Sequence, residues 1–81
     1  MENNQNFIKI KNIHKNILFR CYNNKYKSFH RYGKRGIVVC DEWKNDFKLF
    51  YNWCVSTGYE IGLTLDRENN DGNYEPNNCR W

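Results

Sequence analysis

The fold is decided in the middle of the chain, where residues 41–58 read DEWKNDFKLFYNWCVSTG. The large apolar side chains of this stretch recur at spacings of 4, 3 and 4 residues: Trp43, Phe47, Phe50 and Cys54. Such spacing places them on one face of an α-helix. Asp41 can accept hydrogen bonds from the free backbone donors of the first turn, and Gly58 can end the helix because glycine adopts a left-handed conformation at little cost. We therefore predict an amphipathic helix that starts at Asp41 and ends before Gly58.

A second amphipathic helix is predicted nearer the N-terminus, from Ile8 to Tyr22. Its apolar residues recur at helical spacing, with His14 on the same stripe: Ile10, Ile13, Ile17, Leu18 and Cys21. Asn23 and Asn24 end this pattern. Residues 1–7 are predicted to be a flexible N-terminus, and they lack the apolar stretch behind a basic cap that a signal peptide needs.

Short apolar runs outside the two helices predict β-strands. Ile37–Cys40 form the first run and Leu63–Asp66 the second. The polar residues 70–73 indicate a turn, and Pro76 can begin a helix or a turn. We therefore predict a single α+β domain over residues 1–81, with two helices and a small antiparallel β element.

The composition fits one small globular domain. The chain has 81 residues, of which 3 are Trp, 6 are Tyr and 5 are Phe. This aromatic content is too high for a disordered chain, although a domain of this size has only a thin core. No apolar run approaches the length that crosses a membrane. We therefore expect a soluble protein that acts in the cytoplasm.

Charge is distributed unevenly along the sequence. The net charge is +4, but residues 3–40 contain Lys and Arg and no acid, whereas acidic residues outnumber basic ones in residues 41–81. One face could therefore bind phosphate and another a basic protein surface. Alternatively, the two halves partly neutralise each other in the folded chain.

The segment from Lys25 to Arg35 combines positive charge with aromatic rings. Its basic residues are candidates for phosphate contacts: Lys25, Lys27, Arg31, Lys34 and Arg35. Tyr26, Phe29 and Tyr32 alternate with them and could stack on nucleic-acid bases. The alternative is a solvated loop whose aromatic rings pack on the core.

The four cysteines form no Cys-x-x-Cys pair, and the gaps between them are 18, 13 and 24 residues. Cys54 lies on the apolar helix face, which indicates a core thiol. Cys21, Cys40 and Cys79 lie at the ends of predicted elements, where metal ligands that join separate segments are usually found. Structural zinc on these three thiols would stabilise a thin core.

The fourth zinc ligand is open between three residues, of which His30 is preferred, followed by Cys54 and then His14. His14 is seven residues from Cys21, about 10 Å along one helix, so the two cannot reach one ion together. Other interpretations are a surface histidine in a basic loop for His30 and a helix-packing histidine for His14.

The C-terminal stretch carries a motif. Residues 63–81 read LTLDRENNDGNYEPNNCRW, and this stretch resembles the ββα-metal core of HNH (His-Me finger) endonucleases. The resemblance extends over about residues 13–81 and is closest to a phage-encoded HNH-associated family. It is carried further by segments in residues 31–37, 39–43, 45–47 and 58–59. It implies a phage or prophage origin, and it supports the set of Cys21, Cys40 and Cys79.

Two positions of the resemblance bear on catalysis. Asp66 stands where HNH enzymes place a metal-binding Asp, and Asn78 where they place the Asn that holds the loop over the site. Arg67 occupies the position of the general-base histidine, and a guanidinium has no atom that can accept a proton. We therefore expect a catalytically degenerate site. Arg67 could instead form a surface ion pair with a nearby acid: Glu68, Asp71 or Asp66.

Two functions are compatible with these observations. The resemblance favours a non-catalytic, zinc-binding phage protein that binds and inhibits a host defence nuclease, such as an anti-CRISPR protein that blocks an RNA-guided nuclease in the host cytoplasm. Acidic residues would then compete for its basic nucleic-acid channel: Asp41, Glu42, Asp46, Glu68, Asp71 and Glu75. The alternative is a nucleic-acid-binding accessory module related to HNH endonucleases.

Overall fold

The structure, a computed structural model, describes residues 4–81 and begins with the long helix α1, Asn4–Tyr22. The helix starts at Asn4 rather than at the predicted Ile8, so it includes residues 4–7. Residues 1–3 lie outside the described residues. Phe7 accounts for part of the extension, because its ring packs 5.6 Å from that of Phe47. The predicted stripe is confirmed by its buried side chains: Ile10, His14, Ile17 and Cys21.

The segment after α1 folds back against the end of that helix. It contains two short 3-10 turns, Phe29–Arg31 and Gly33–Arg35. Gly33 passes so close to α1 that a Cβ atom at this position would overlap the carbonyl oxygen of Cys21 and the ring of Phe29. The absence of a side chain at Gly33 therefore allows the basic segment to pack on the helix.

The predicted central helix is divided into α2, Asp41–Asn45, and α3, Phe47–Ser56. Asp46 separates them with an extended backbone, and its carboxylate accepts a hydrogen bond from the Lys48 N–H at 3.0 Å. Asp46, and not Asp41, is therefore the residue whose side chain caps a helix. The predicted helix breaks here because the side chains of Asn and Asp compete with helical backbone hydrogen bonds and favour capping positions.

The apolar face survives this break. Trp43, Phe50 and Cys54 are buried and Phe47 is half-buried, as predicted. The ring of Trp43 lies 4.9 Å from those of both Phe50 and Trp53. Beyond α3, Gly58 has a φ of 86°, which is the predicted left-handed position.

We expect the two aspartates to differ in their effect on stability. Asp46→Ala removes the cap of α3 and should lower the free energy of unfolding by about 1 kcal/mol. Asp41→Ala, at the first position of α2, should cost less than about 0.5 kcal/mol. Urea denaturation of both variants measures the difference, and equal losses would contradict the assignment of the cap to Asp46.

The β structure is smaller than the sequence predicted. β1, Asp66–Arg67, pairs antiparallel with β2, Cys79–Arg80. Of the predicted strand Leu63–Asp66, only its last residue joins this pair. Of Ile37–Cys40, only Val39 forms a bridge, parallel to Tyr74. Ile37 and Val39 are buried in the core, whereas Val38 and Leu63 are exposed, so these runs contribute single side chains to the core and no further strands.

The C-terminal segment packs on the end of α3. Residues 76–78 form a 3-10 turn that begins at Pro76. The ring of Trp81 lies 5.6 Å from Trp53 and 5.0 Å from Tyr59, and its Nε1 donates to Thr57 Oγ1 at 2.9 Å. The α+β class and the small antiparallel element are confirmed, and residues 4–81 contain three α-helices in place of the two predicted. No helix among residues 4–81 is long and apolar enough to cross a membrane.

Candidate functional site

The C-terminal hairpin, which consists of β1, β2 and the residues between them, carries the nuclease-like motif. Asn78 holds the loop of this hairpin. The side-chain Nδ2 of Asn78 donates to the carbonyl oxygens of Asn69 and Asn73, both at 3.0 Å. Its Oδ1 accepts from the Asn69 N–H at 2.9 Å. Glu68 N–H also donates to the Asn78 carbonyl at 2.7 Å. Asn78 therefore organises residues 69–73, which is the role that the resemblance implies for it.

Arg67 holds the same loop through its guanidinium group. Nη1 donates to the carbonyl oxygens of Asn70 at 2.8 Å and Gly72 at 2.7 Å. Cζ lies 5.3 Å from the ring centroid of Tyr32 and 5.1 Å from that of Tyr74. Because a guanidinium only donates hydrogen bonds, Arg67, which the resemblance aligns with the general base, binds loop carbonyls and stacks on two tyrosine rings.

The expectation that Arg67 forms an ion pair with a nearby acid is wrong, because the acids pair with other arginines. Arg80 Nε donates to Asp66 Oδ2 at 3.1 Å, and Arg80 Nη1 lies 3.5 Å from Glu68 Oε2. Asp71 pairs with Arg35. Asp66, which the resemblance aligns with a metal-binding Asp, is thus exposed, but its charge is neutralised by Arg80 of the opposite strand.

The three cysteines at element ends have different surroundings, and Arg67 lies near two of them, Cys21 and Cys79. Burial raises the pKa of both Cys21 and Cys79 to about 11, and the charge of Arg67 opposes the increase at each. Burial also raises the pKa of Cys40, and Cys40 is near enough to Cys79 to add to the increase at Cys79. The charge of Arg20 also opposes the increase in the pKa of Cys21, whereas the nearby acids Glu42, Glu75 and Asp41 add to the increase in the pKa of Cys40.

Cys54 is a core thiol, in agreement with the sequence interpretation. It is fully buried, and burial raises its pKa to about 12, with a further contribution from nearby Cys79. Within residues 4–81, no three His, Cys, Asp or Glu side chains form a group that could hold a metal ion. The thiols are the soft ligands that zinc prefers, but the side chains as placed do not form a closed ligand set.

The two histidines have different environments. His30 is exposed in the turn Phe29–Arg31, and none of its described contacts joins it to the cysteines. His14 is buried against the rings of Phe47 and Phe50, and its Nε2 lies 2.6 Å from the Trp43 carbonyl oxygen. This position matches the helix-packing interpretation of His14.

The candidate acidic contacts are not equally free. Asp41, Glu42 and Asp46 are exposed along α2 and its end, and no ion pair involves them in the described chain. Glu68 and Asp71 are exposed but paired with arginines, and Glu75 is half-buried. The acidic surface that remains available for a partner is therefore the one on α2.

The candidate basic contacts are more available. Among residues 4–81, four of the five have no carboxylate at ion-pair distance, and all four are exposed: Lys25, Lys27, Arg31 and Lys34. Arg35 is the exception, because it pairs with Asp71 and also donates to the Asn70 carbonyl at 3.4 Å. The basic segment therefore keeps most of its positive charge for an external partner.

The aromatic rings of that segment are used internally. Tyr32 stacks on Tyr74 with 6.5 Å between ring centroids, and Tyr26 packs against Phe19 at 5.3 Å. Arg20 donates to the Tyr74 hydroxyl at 3.3 Å. Of the two interpretations of these rings, packing on the core describes Tyr32. The sequence offers little signal for this cluster, since its members come from three distant segments.

No family model, no curated protein and no solved structure matches this chain. The likeness to HNH endonucleases therefore rests on the motif residues alone.

Proposed function

We propose that this chain is a non-catalytic phage protein that binds a host defence nuclease and inhibits it, in the manner of an anti-CRISPR protein. The supporting observation is the engagement of Arg67, whose guanidinium is bonded to two loop carbonyls at the position of the general base. Asp66 is paired with Arg80. A hairpin built in this way supports a rigid binding surface better than proton transfer.

The surface that fits a nuclease best is the acidic one on α2. Asp41, Glu42 and Asp46 are exposed and carry no internal ion pair in the described chain. The nucleic-acid channels of RNA-guided nucleases are strongly basic, so these carboxylates would compete with phosphate groups there. Glu68 and Asp71 contribute less charge because arginines neutralise them.

A cleavage assay with a panel of RNA-guided nucleases tests this proposal. The wild-type protein should block cleavage by one of them, and the variant Asp41→Asn/Glu42→Gln/Asp46→Asn should inhibit about tenfold less strongly. Asparagine at position 46 keeps the helix cap, so the variant should fold normally. Glu60→Gln, an exposed acid outside α2, is the matched control. Unimpaired cleavage by every nuclease in the panel would refute the proposal.

A second candidate function is nucleic-acid binding as an accessory module. It is favoured by the unpaired positive charge of Lys25, Lys27, Arg31 and Lys34. Direct binding to free DNA should weaken steeply as salt rises, because each phosphate contact releases counterions. An inhibitor should instead bind its protein target and show little affinity for free nucleic acid.

Zinc on Cys21, Cys40 and Cys79, with His30 as the fourth ligand, is part of the proposal. It is supported by the thiol chemistry and by the proximity of Cys40 to Cys79. When bound, the ion would join the end of α1 to the start of α2 and to β2. The ligands would have to approach one another more closely than in the structure described here, because no three such side chains group together among residues 4–81.

Native mass spectrometry of protein produced in a reducing cytoplasm measures this directly. We expect one zinc ion, lost in chelator together with the compact charge states, because site formation and folding share one free energy. Cys40→Ser should abolish binding, Cys54→Ala should retain it, and His30→Ala should weaken it. Four free thiols with no metal, and charge states unchanged by chelator, would contradict the zinc assignment.

A further inference from the structure

An open concavity lies at the C-terminal end of α1. Its volume is about 420 Å³, and it is lined by six residues: Lys15, Leu18, Phe19, Tyr22, Asn23 and Asn24. Phe19 and Tyr22 are 43% and 42% exposed, and their three-residue spacing places both rings on one side of the helix. Lys15 is the charged member of the lining, and none of the six is acidic.

The two rings are held in place by the rest of the fold. The Tyr22 hydroxyl accepts from the Val39 N–H at 3.0 Å and lies 3.4 Å from the Val39 carbonyl oxygen, to which it donates. Phe19 packs edge-on against Tyr26 with 5.3 Å between the centroids. A ligand that stacks on these rings therefore has little side-chain entropy to remove.

The surroundings add positive charge and amide groups. Lys44 Nζ lies 4.6 Å from the centroid of the Tyr22 ring. Asn23 Oδ1 accepts from the Lys25 N–H at 2.9 Å, which brings the start of the basic segment to the rim. Exposed aromatic faces beside lysines form the combination that binds single-stranded nucleic acid, because every base offers a face for stacking and every phosphate a negative charge.

We propose that this concavity binds single-stranded nucleic acid, with a base stacked on Phe19 and Tyr22 and the adjacent phosphate held by Lys15. The inference deepens the second candidate function and rests on it. It also moves the stacking site from the rings of the basic segment to α1, because Tyr32 is half-buried against Tyr74 and two guanidinium groups. Phe19 and Tyr22 remain exposed beside their contacts with Tyr26 and Lys44. Lys25 and Lys27 would then follow the strand beyond the stacked base.

Fluorescence anisotropy with a labelled short oligodeoxythymidine at low salt tests the site. Phe19→Leu keeps apolar packing on Tyr26 but removes the aromatic face, and it should weaken binding about tenfold. Lys15→Gln should weaken binding severalfold and lower the salt dependence by about one counterion. Lys48→Gln, an exposed lysine on α3 outside the concavity, is the control and should bind like wild type. Circular dichroism and thermal melting check that each variant is folded.

The outcomes separate this site from the function on which it rests. If wild type binds the oligonucleotide and both Phe19→Leu and Lys15→Gln bind equally well, the site is wrong although the chain binds nucleic acid. If wild type binds neither single-stranded nor double-stranded DNA at low salt, the second candidate function fails as well. Preference for duplex DNA, or loss of nuclease inhibition by Phe19→Leu without any oligonucleotide binding, also overturns the stacking site.

Discussion

Replacing Gly33 by alanine should destabilise the protein by about 3 kcal/mol, since overpacking against a fixed backbone is among the costliest substitutions. A Cβ atom at this position would overlap the Cys21 carbonyl oxygen, which is backbone and cannot rotate away, as well as the Phe29 ring. Small domains have a total stability of only about 5 kcal/mol or somewhat more. We therefore expect the variant to lose about half of its stability and to unfold at a markedly lower urea concentration and temperature than wild type, as measured by urea denaturation and thermal melting.

Lys34→Ala is the matched control for Gly33→Ala. Lys34 lies in the same short turn and is exposed, so its truncation should change the free energy of unfolding by less than about 0.5 kcal/mol. If Gly33→Ala were as stable as Lys34→Ala, the basic segment would not pack on α1 as described.

The second large effect is expected at Arg67. Arg67→Met keeps most of the side-chain volume but removes the charged donor of the Asn70 and Gly72 carbonyls and the cation above Tyr32 and Tyr74. Hydrogen bonds from charged groups and cation–π contacts together predict a loss of about 2–3 kcal/mol in the free energy of unfolding. Chemical denaturation followed by tryptophan fluorescence measures this loss.

Arg80→Met is the appropriate comparison, because Arg80 forms only exposed ion pairs with Asp66 and Glu68. Such pairs contribute less than about 1 kcal/mol, and salt weakens them. Similar small losses for Arg67→Met and Arg80→Met would show that Arg67 is an ordinary surface residue and would remove the main support for a structural role.

The helices were the predictable part of this fold, because their signal is local. The stripe of Ile10, His14 and Ile17 and the face of Trp43 and Phe50 both follow from helical periodicity within one segment. The break at Asp46 was missed because the apolar spacing continues across it. The pair of poor helix formers at positions 45 and 46 is the signal that could have indicated the break.

The C-terminal hairpin, and the contacts by which Asn78 and Arg67 hold its loop, were only partly predictable from the sequence. Asn78 was assigned as the residue that holds the loop, from the motif, and its three hydrogen bonds agree with that role. Arg67 stacks on Tyr74, which is near it in the sequence, and on Tyr32, which is more than thirty residues away. Sequence periodicity does not predict contacts between distant segments. For the same reason, the spacing of the cysteines did not predict their relative positions.

The most direct measurement is a nicking assay on supercoiled plasmid with purified protein in Mg²⁺ or Mn²⁺. We predict intact plasmid at all protein concentrations, because Arg67, which the resemblance places where HNH enzymes have their base, is bound to loop carbonyls and Asp66 is paired with Arg80. Nicking by the wild-type protein that is lost in Asp66→Ala would contradict a non-catalytic hairpin and would make this chain a nuclease.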